Sequence, residues 1–205
     1  MLKRLDPGVL FRIDKQFANR PATAPQPPNQ PTDFCLVEDR PYKLRHKRDD
    51  DGGICPVEVG THRHPYRNFR WLPWLPGKVS YVPLAGDIIV TGEMSGCWLV
   101  VFILNGVRCF GHIGTLQDPK SQGTVAAINA WKVAVNGKRI IPVAAFNPIA
   151  VGMPTPFRFG AIDENDRLFS IGLDKVQASA GTFPYKVLHL TEVTAPATAP
   201  ALVWG

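Results

Sequence analysis

Cys97 and His112 are the two residues of this chain whose types and spacing allow nucleophilic chemistry. A thiol with its ordinary pKa of about 8.5 is only a few per cent thiolate at neutral pH, and a neighbouring imidazolium raises that fraction. The same imidazole can hand a proton to a leaving group. The turn between the two residues decides whether they meet. Two apolar runs, 97–104 and 107–113, flank Asn105-Gly106, the strongest short-range signal for a β-hairpin. With those two residues at the centre of the turn, Leu104 faces Val107, Leu99 faces His112 and Cys97 faces Gly114. Side chains alternate between faces. Cys97, Leu99, Val101 and Ile103 therefore share a face with Arg108, Phe110, His112 and Gly114. Cys97 and His112 become diagonal cross-strand neighbours, roughly 7–8 Å apart between backbones and within side-chain reach. A one-residue slip of register would separate them. Cys109 falls on the opposite face with Trp98, Val100 and Phe102 and reads as core. Before Cys97 runs TGEMSG, whose Gly92 and Gly96 permit a tight turn with inward backbone N–H groups, and Ser95 reads as a residue of that turn. Such donors can hold an oxyanion, a contribution of about a hundredfold in rate. Spacing alone leaves a second reading open, in which a buried Cys and a satisfied core His merely sit on adjacent strands.

The elements that must position this pair are mostly strands, expected at 78–84, 86–91, 98–104, 107–113, 139–146, 157–163, 167–173 and 185–192. Pro83, Asn105-Gly106, Asn136-Gly137 and the polar run DEND at 163–166 separate them. Residues 121–135 suit a helix capped by Ser121 and stopped by Asn136-Gly137, although a hairpin about that Asn-Gly is an alternative. Upstream, Asp6-Pro7 resembles a helix start, and Val9, Leu10, Ile13 and Phe17 then share one helical face, so a helix is expected within 1–20. A Pro-rich arm spans 21–32, DFCLVE and GICPVEV are short strand candidates, and RWLPWLPG at 70–77 reads as an aromatic loop. Within that loop Trp71 and Trp74 read as core aromatics before substrate contacts, and His189 as a structural histidine. The expectation is one catalytic domain with its core at 33–192 and a fraying tail at 193–205. Its class is β-rich α/β, a sandwich of two mixed β-sheets with a few peripheral helices.

Composition excludes several classes. The 205 residues are 45% hydrophobic and 20% charged, which argues against a wholly disordered chain. The longest apolar run, 97–104, is strand-sized, far short of the roughly 18–20 residues that span a bilayer. The N-terminus offers no apolar stretch suited to a secretory signal peptide, so delivery by a non-Sec route is expected. Net charge is +6, but the run KLRHKR at 43–48 is followed at once by Asp49, Asp50 and Asp51, the pattern of a solvated loop and not of a nucleic-acid stripe. Four cysteines without a CxxC read as neither a zinc site nor a disulfide framework, and His62 and His64 read as surface residues; no metal and no cofactor are expected.

Thr91-x5-Cys97, the local MSGC, and His112 fifteen residues after the Cys resemble the LSGC-type glutamine deamidase toxins, among them the cytotoxic necrotizing factors and the Burkholderia lethal factor. The same segment, residues 88–115, is similar to the chemotaxis receptor glutamine deamidases. Met94 stands where the toxins usually carry Leu, a volume-conserving exchange. The resemblance implies that Cys97 is the nucleophile, His112 the acid and base, and Thr91 the residue orienting the imidazole, with turn residues Gly92, Ser95 and Gly96 supporting an oxyanion. It implies conversion of a protein glutamine to glutamate through a thioester, without a cofactor, by a monomeric bacterial toxin or effector. Such a protein leaves the bacterial cytoplasm by a non-Sec route and acts in the cytosol of a target cell. Its partner would be a protein substrate such as a host GTPase or a translation-initiation helicase, with no nucleic acid and no membrane span. Another Cys/His amidase, a transglutaminase and a non-catalytic β-sandwich binding module are the competing readings.

Overall fold

A computed structural model describes residues 69–175 and 183–196 continuously, residues 33–36, the strand backbones at 10–13, 41–45 and 55–58, and residues 2, 5, 7 and 8. In chain order the strands are β1 (Leu10–Ile13), β2 (Phe34–Leu36), β3 (Pro41–Arg45), β4 (Cys55–Glu58), β5 (Phe69–Trp71), β6 (Val79–Pro83) and β7 (Ile89–Gly92). They continue with β8 (Trp98–Leu104), β9 (Val107–Ile113), β10 (Ile140–Phe146), β11 (Phe157–Ile162), β12 (Leu168–Lys175) and β13 (Phe183–Glu192). The helix α1 (Gln122–Asn136) lies between β9 and β10.

The central hairpin forms as its turn residues dictate. Asn105 and Gly106 both take positive φ, 51° and 79°, the requirement of a tight two-residue turn between twisted strands. The ladder that follows pairs Leu104 with Val107 and Leu99 with His112, the register expected from the turn. A five-stranded sheet grows around this hairpin in the order β10-β8-β9-β6-β2, antiparallel except where β2 joins β6. An eight-stranded sheet runs β1-β13-β12-β11-β7-β5-β3-β4, with β5 and β7 parallel. Both sheets are therefore mixed, and the fold is a strand-rich α/β sandwich.

Alternation along the strands sorts the core into layers. Leu99, Val101 and Phe110 of the smaller sheet meet Ile89, Ile162 and Leu168 of the larger one, and Cys97 and Met94 belong to this inter-sheet layer. On the other face of the smaller sheet, Val100, Phe102, Leu104 and Cys109 pack against Ala127, Ala130, Trp131 and Ala134 of α1. Trp131 stacks on Phe34 at 6.2 Å and meets Phe102 edge-on at 5.7 Å. Burying side chains of this size contributes about 1.5–3 kcal/mol each. Phe159, Ile171 and Tyr185 cover the far face of the larger sheet together with Leu2 and Leu5. Ser121 caps α1 by accepting a hydrogen bond from the Thr124 amide at 3.2 Å, so residues 122–136 are helix and not a hairpin arm.

Three expectations are corrected. Leu10–Ile13 is a strand, not part of a helix, because its backbone pairs with the edge of β13. Tertiary pairing overrides the weak helical period of a short segment. Pro41–Arg45 takes three residues of the KLRHKR run into β3, between β4 and β5. Arg70 and Trp71 belong to β5, and only the rest of RWLPWLPG is loop. The Pro-rich arm at 21–32, His62, His64 and the tail beyond residue 196 lie outside the described residues. Among the described residues no helix is long and apolar enough to cross a membrane.

Candidate active site

Cys97 immediately precedes β8 and follows Gly96, whose φ of +118° is a backbone conformation that L side chains rarely adopt. The segment leading to it is tied down. The Met94 amide donates to the Arg158 carbonyl at 2.8 Å, and the Glu93 carboxylate pairs with Lys175 at 3.0 Å and accepts a hydrogen bond from the Tyr185 hydroxyl. Ser95 is exposed, whereas Cys97 is 1% exposed; two residues carry the chain from surface to core. Gly92 closes β7 opposite Phe159, and a Cβ there would stand 2.0 Å from the Phe159 ring. Its lack of a side chain thus makes room for the Phe159 ring of the neighbouring strand β11 in the same sheet.

His112 lies one residue before the end of β9, opposite Leu99 on one side and Ser80 on the other. Thr91 comes from β7 in the other sheet, opposite Gly160. The two sheets approach closely here: a Cβ on Gly160 would lie 2.0 Å from Leu99 Cδ1. This close approach accompanies a hydrogen bond of 2.8 Å between Thr91 Oγ1 and His112 Nδ1 that spans the two sheets. Both residues are fully buried. His112 Nε2, equally buried, has no hydrogen-bond partner. Among the described residues Trp71 Nε1 is the other buried side-chain nitrogen without a partner; such atoms are rare in protein cores.

The Cys97 sulfur is held elsewhere. Its thiol donates to the Thr115 carbonyl at 3.3 Å, and the Thr115 hydroxyl donates back to Sγ at 3.3 Å. Trp74 Nε1 donates to the same carbonyl at 3.1 Å. Thr115 is the residue that sequence reasoning missed: it stands just past β9, beyond the paired register, where alternation no longer says which way a side chain turns. Its only signal was its position next to Gly114, the residue facing Cys97 in the hairpin count.

Burial sets the charge state of the pair. It pushes the Cys97 thiol above its ordinary range, against the opposing pull of the Thr115 hydroxyl and the backbone at Ser95, Thr115 and Cys97. Burial likewise pushes His112 down to about 3. At neutral pH the site therefore rests as a thiol and a neutral imidazole, not as the ion pair that proximity alone suggested. Cys109 sits in the helix-facing layer and is pushed up to about 12 by burial.

The other residues singled out have structural roles. Trp71 is buried in the outer layer of the larger sheet. His189 meets Thr191 Oγ1 at 3.2 Å through Nδ1 and the Met153 carbonyl at 2.9 Å through Nε2. The arrangement thus brings Cys97, His112 and Thr91 into one inter-sheet region, adds Thr115, and leaves Ser95 at the surface above it. In comparisons of the chain with protein-family models, with curated proteins and with solved structures, none matched.

Proposed function

We propose that this protein is a protein-glutamine deamidase in which Cys97 is the nucleophile, His112 the acid and base, and Thr91 the group that orients the imidazole. One observation carries the reading. A fully buried imidazole is fixed through Nδ1 by Thr91 at 2.8 Å, while its Nε2 is left without a partner on the strand face it shares with Cys97. With Nδ1–H donated to Thr91, the Nε2 lone pair is free to act as a base.

In the proposed reaction Nε2 takes the Cys97 proton as sulfur attacks the carboxamide carbon of a glutamine side chain. The oxyanion draws on backbone N–H groups around Gly96 and Cys97, with Gly92 and Ser95 shaping the turn. The C–N bond breaks as His112 returns the proton to nitrogen, ammonia leaves, and a thioester remains. Water then gives a proton to His112 and adds to the thioester. Loss of the sulfur, which recovers that proton, yields glutamate and free Cys97. No cofactor enters. Sequence resemblance supports the further reading that the protein is a bacterial toxin or effector acting on a protein of another cell.

A non-catalytic β-sandwich binding module is the competing reading, favoured by the near-complete burial and neutral state of Cys97 and His112. Ammonia release from a protein mixture separates the two. Release by the wild type that is lost in Cys97→Ala, with the variant's circular dichroism unchanged, supports the deamidase. Equal release by both proteins, or none by either, supports the binding module.

A further inference from the structure

Thr115 touches the Cys97 sulfur twice, through its hydroxyl and through its carbonyl, each at 3.3 Å. Several contacts fix the Thr115 backbone. Gly114 exchanges hydrogen bonds with the loop before β6, its amide donating to the Lys78 carbonyl and its carbonyl accepting from the Gly77 amide, both at 2.9 Å. A Cβ at Gly114 would stand 1.8 Å from the Leu75 carbonyl oxygen, so the two segments lie in backbone contact. On the other side, the Leu116 amide donates to Thr124 Oγ1 at 2.8 Å in the first turn of α1. Trp74 completes the frame by donating to the Thr115 carbonyl at 3.1 Å. The threonine is 5% exposed, and its hydroxyl meets the sulfur from a backbone held by the loop before β6 and by the first turn of α1.

We propose that Thr115 is a positioning residue for Cys97: its carbonyl takes the thiol hydrogen at rest, and its hydroxyl donates to the sulfur as negative charge develops there. The charged groups on the surrounding elements are engaged elsewhere. Glu93 pairs with Lys175, Arg158 binds the Pro148 carbonyl and Ser170, Arg108 pairs with Asp166, and Lys78 pairs with Asp33. His112, the titratable group on the facing strand, is held neutral by burial. A hydroxyl donor at 3.3 Å is then the polar side chain that stabilises a thiolate at this position. The consequence for catalysis rests on the deamidase reading, but the effect on the thiol does not.

The test is the rate of Cys97 alkylation by iodoacetamide as a function of pH in the full chain, followed at the Cys97 peptide by mass spectrometry. Thr115→Val keeps the shape and removes the hydroxyl. It should move the curve of rate against pH upward by about one pH unit with an unchanged plateau, hence about tenfold slower reaction at a fixed pH below the midpoint. Thr115→Ser should restore the wild-type curve, and the Cys109 peptide should be unaffected throughout. A curve for Thr115→Val that coincides with the wild type, or a Thr115→Ser curve that matches valine, overturns the proposal. If Thr115→Val fails to fold by circular dichroism, Thr115→Ala decides by the same criteria. Failure of the deamidase reading appears separately, as absence of glutamine conversion with the titration intact.

Discussion

His112 has one nitrogen committed and one free, and both facts have measurable consequences. Its pKa is lowered by burial to about 3, below the 6.5 of an unfolded histidine, so between these values the unfolded chain binds a proton that the folded one does not. Its contribution to stability is complete above about pH 6.5 and is lost as pH falls toward 3, at up to about 1.4 kcal/mol per pH unit. Urea unfolding of wild type and His112→Gln from pH 7 to 4 should therefore show the gap between them shrinking as pH falls; a constant gap would contradict a neutral buried imidazole. Thr91→Ala removes the partner of Nδ1 and should lower deamidase activity less than His112→Ala does, the orienting group being less critical than the one that moves the proton. The reverse order would sink the orienting role. At this scale the strand face that Cys97 shares with His112 was legible in the sequence, because an Asn-Gly turn fixes a register and a register fixes faces. It did not disclose that Thr115 holds the sulfur, since Thr115 follows the last paired residue of β9 and its direction depends on Trp74 and the Gly114 backbone contact.

The site is assembled where β7 and β11 of one sheet press on β8 and β9 of the other. Gly160 makes that approach possible. Gly160→Ala puts a Cβ 2.0 Å from Leu99 Cδ1 and should destabilise the fold by about 1–3 kcal/mol. Leu99→Ala vacates the same space, so the double variant should be less destabilised than the sum of the singles. Additive losses in denaturant titrations would show that the contact is not what limits the approach. Strands β8 to β13 were legible because they are short, mostly apolar runs bounded by turn residues. Strands β3 and β5 were not, because a charged pentapeptide and a three-residue segment carry too little pattern to stand out from loop. β1 was misread for the opposite reason: Leu10 and Ile13 fit a helical face, yet the pairing of Leu10–Ile13 with β13 decides the conformation of that segment.

Across the whole molecule, the smaller sheet has α1 on one face and the larger sheet on the other, and these faces have separable roles. Trp131→Ala should lower stability by about 3–5 kcal/mol by opening the helix-facing layer, while leaving activity per folded molecule unchanged at low temperature. Loss of activity ahead of unfolding would mean the two layers are coupled. The layered sandwich was legible from the spacing of strands and turns, whereas the cross-sheet contact of Thr91 with His112 was expected from the family resemblance and not from spacing, because which strands face one another is decided by pairings distant in sequence. The central claim is that Cys97 converts a protein glutamine to glutamate. Its most direct test is peptide-level mass spectrometry of a host-cell lysate incubated with the wild type or with Cys97→Ser. The account predicts a gain of about one dalton at a defined glutamine with the wild type alone, the mark of amide hydrolysis through a thioester. The same gain with Cys97→Ser, or no gain with a wild-type protein that is folded, would contradict it.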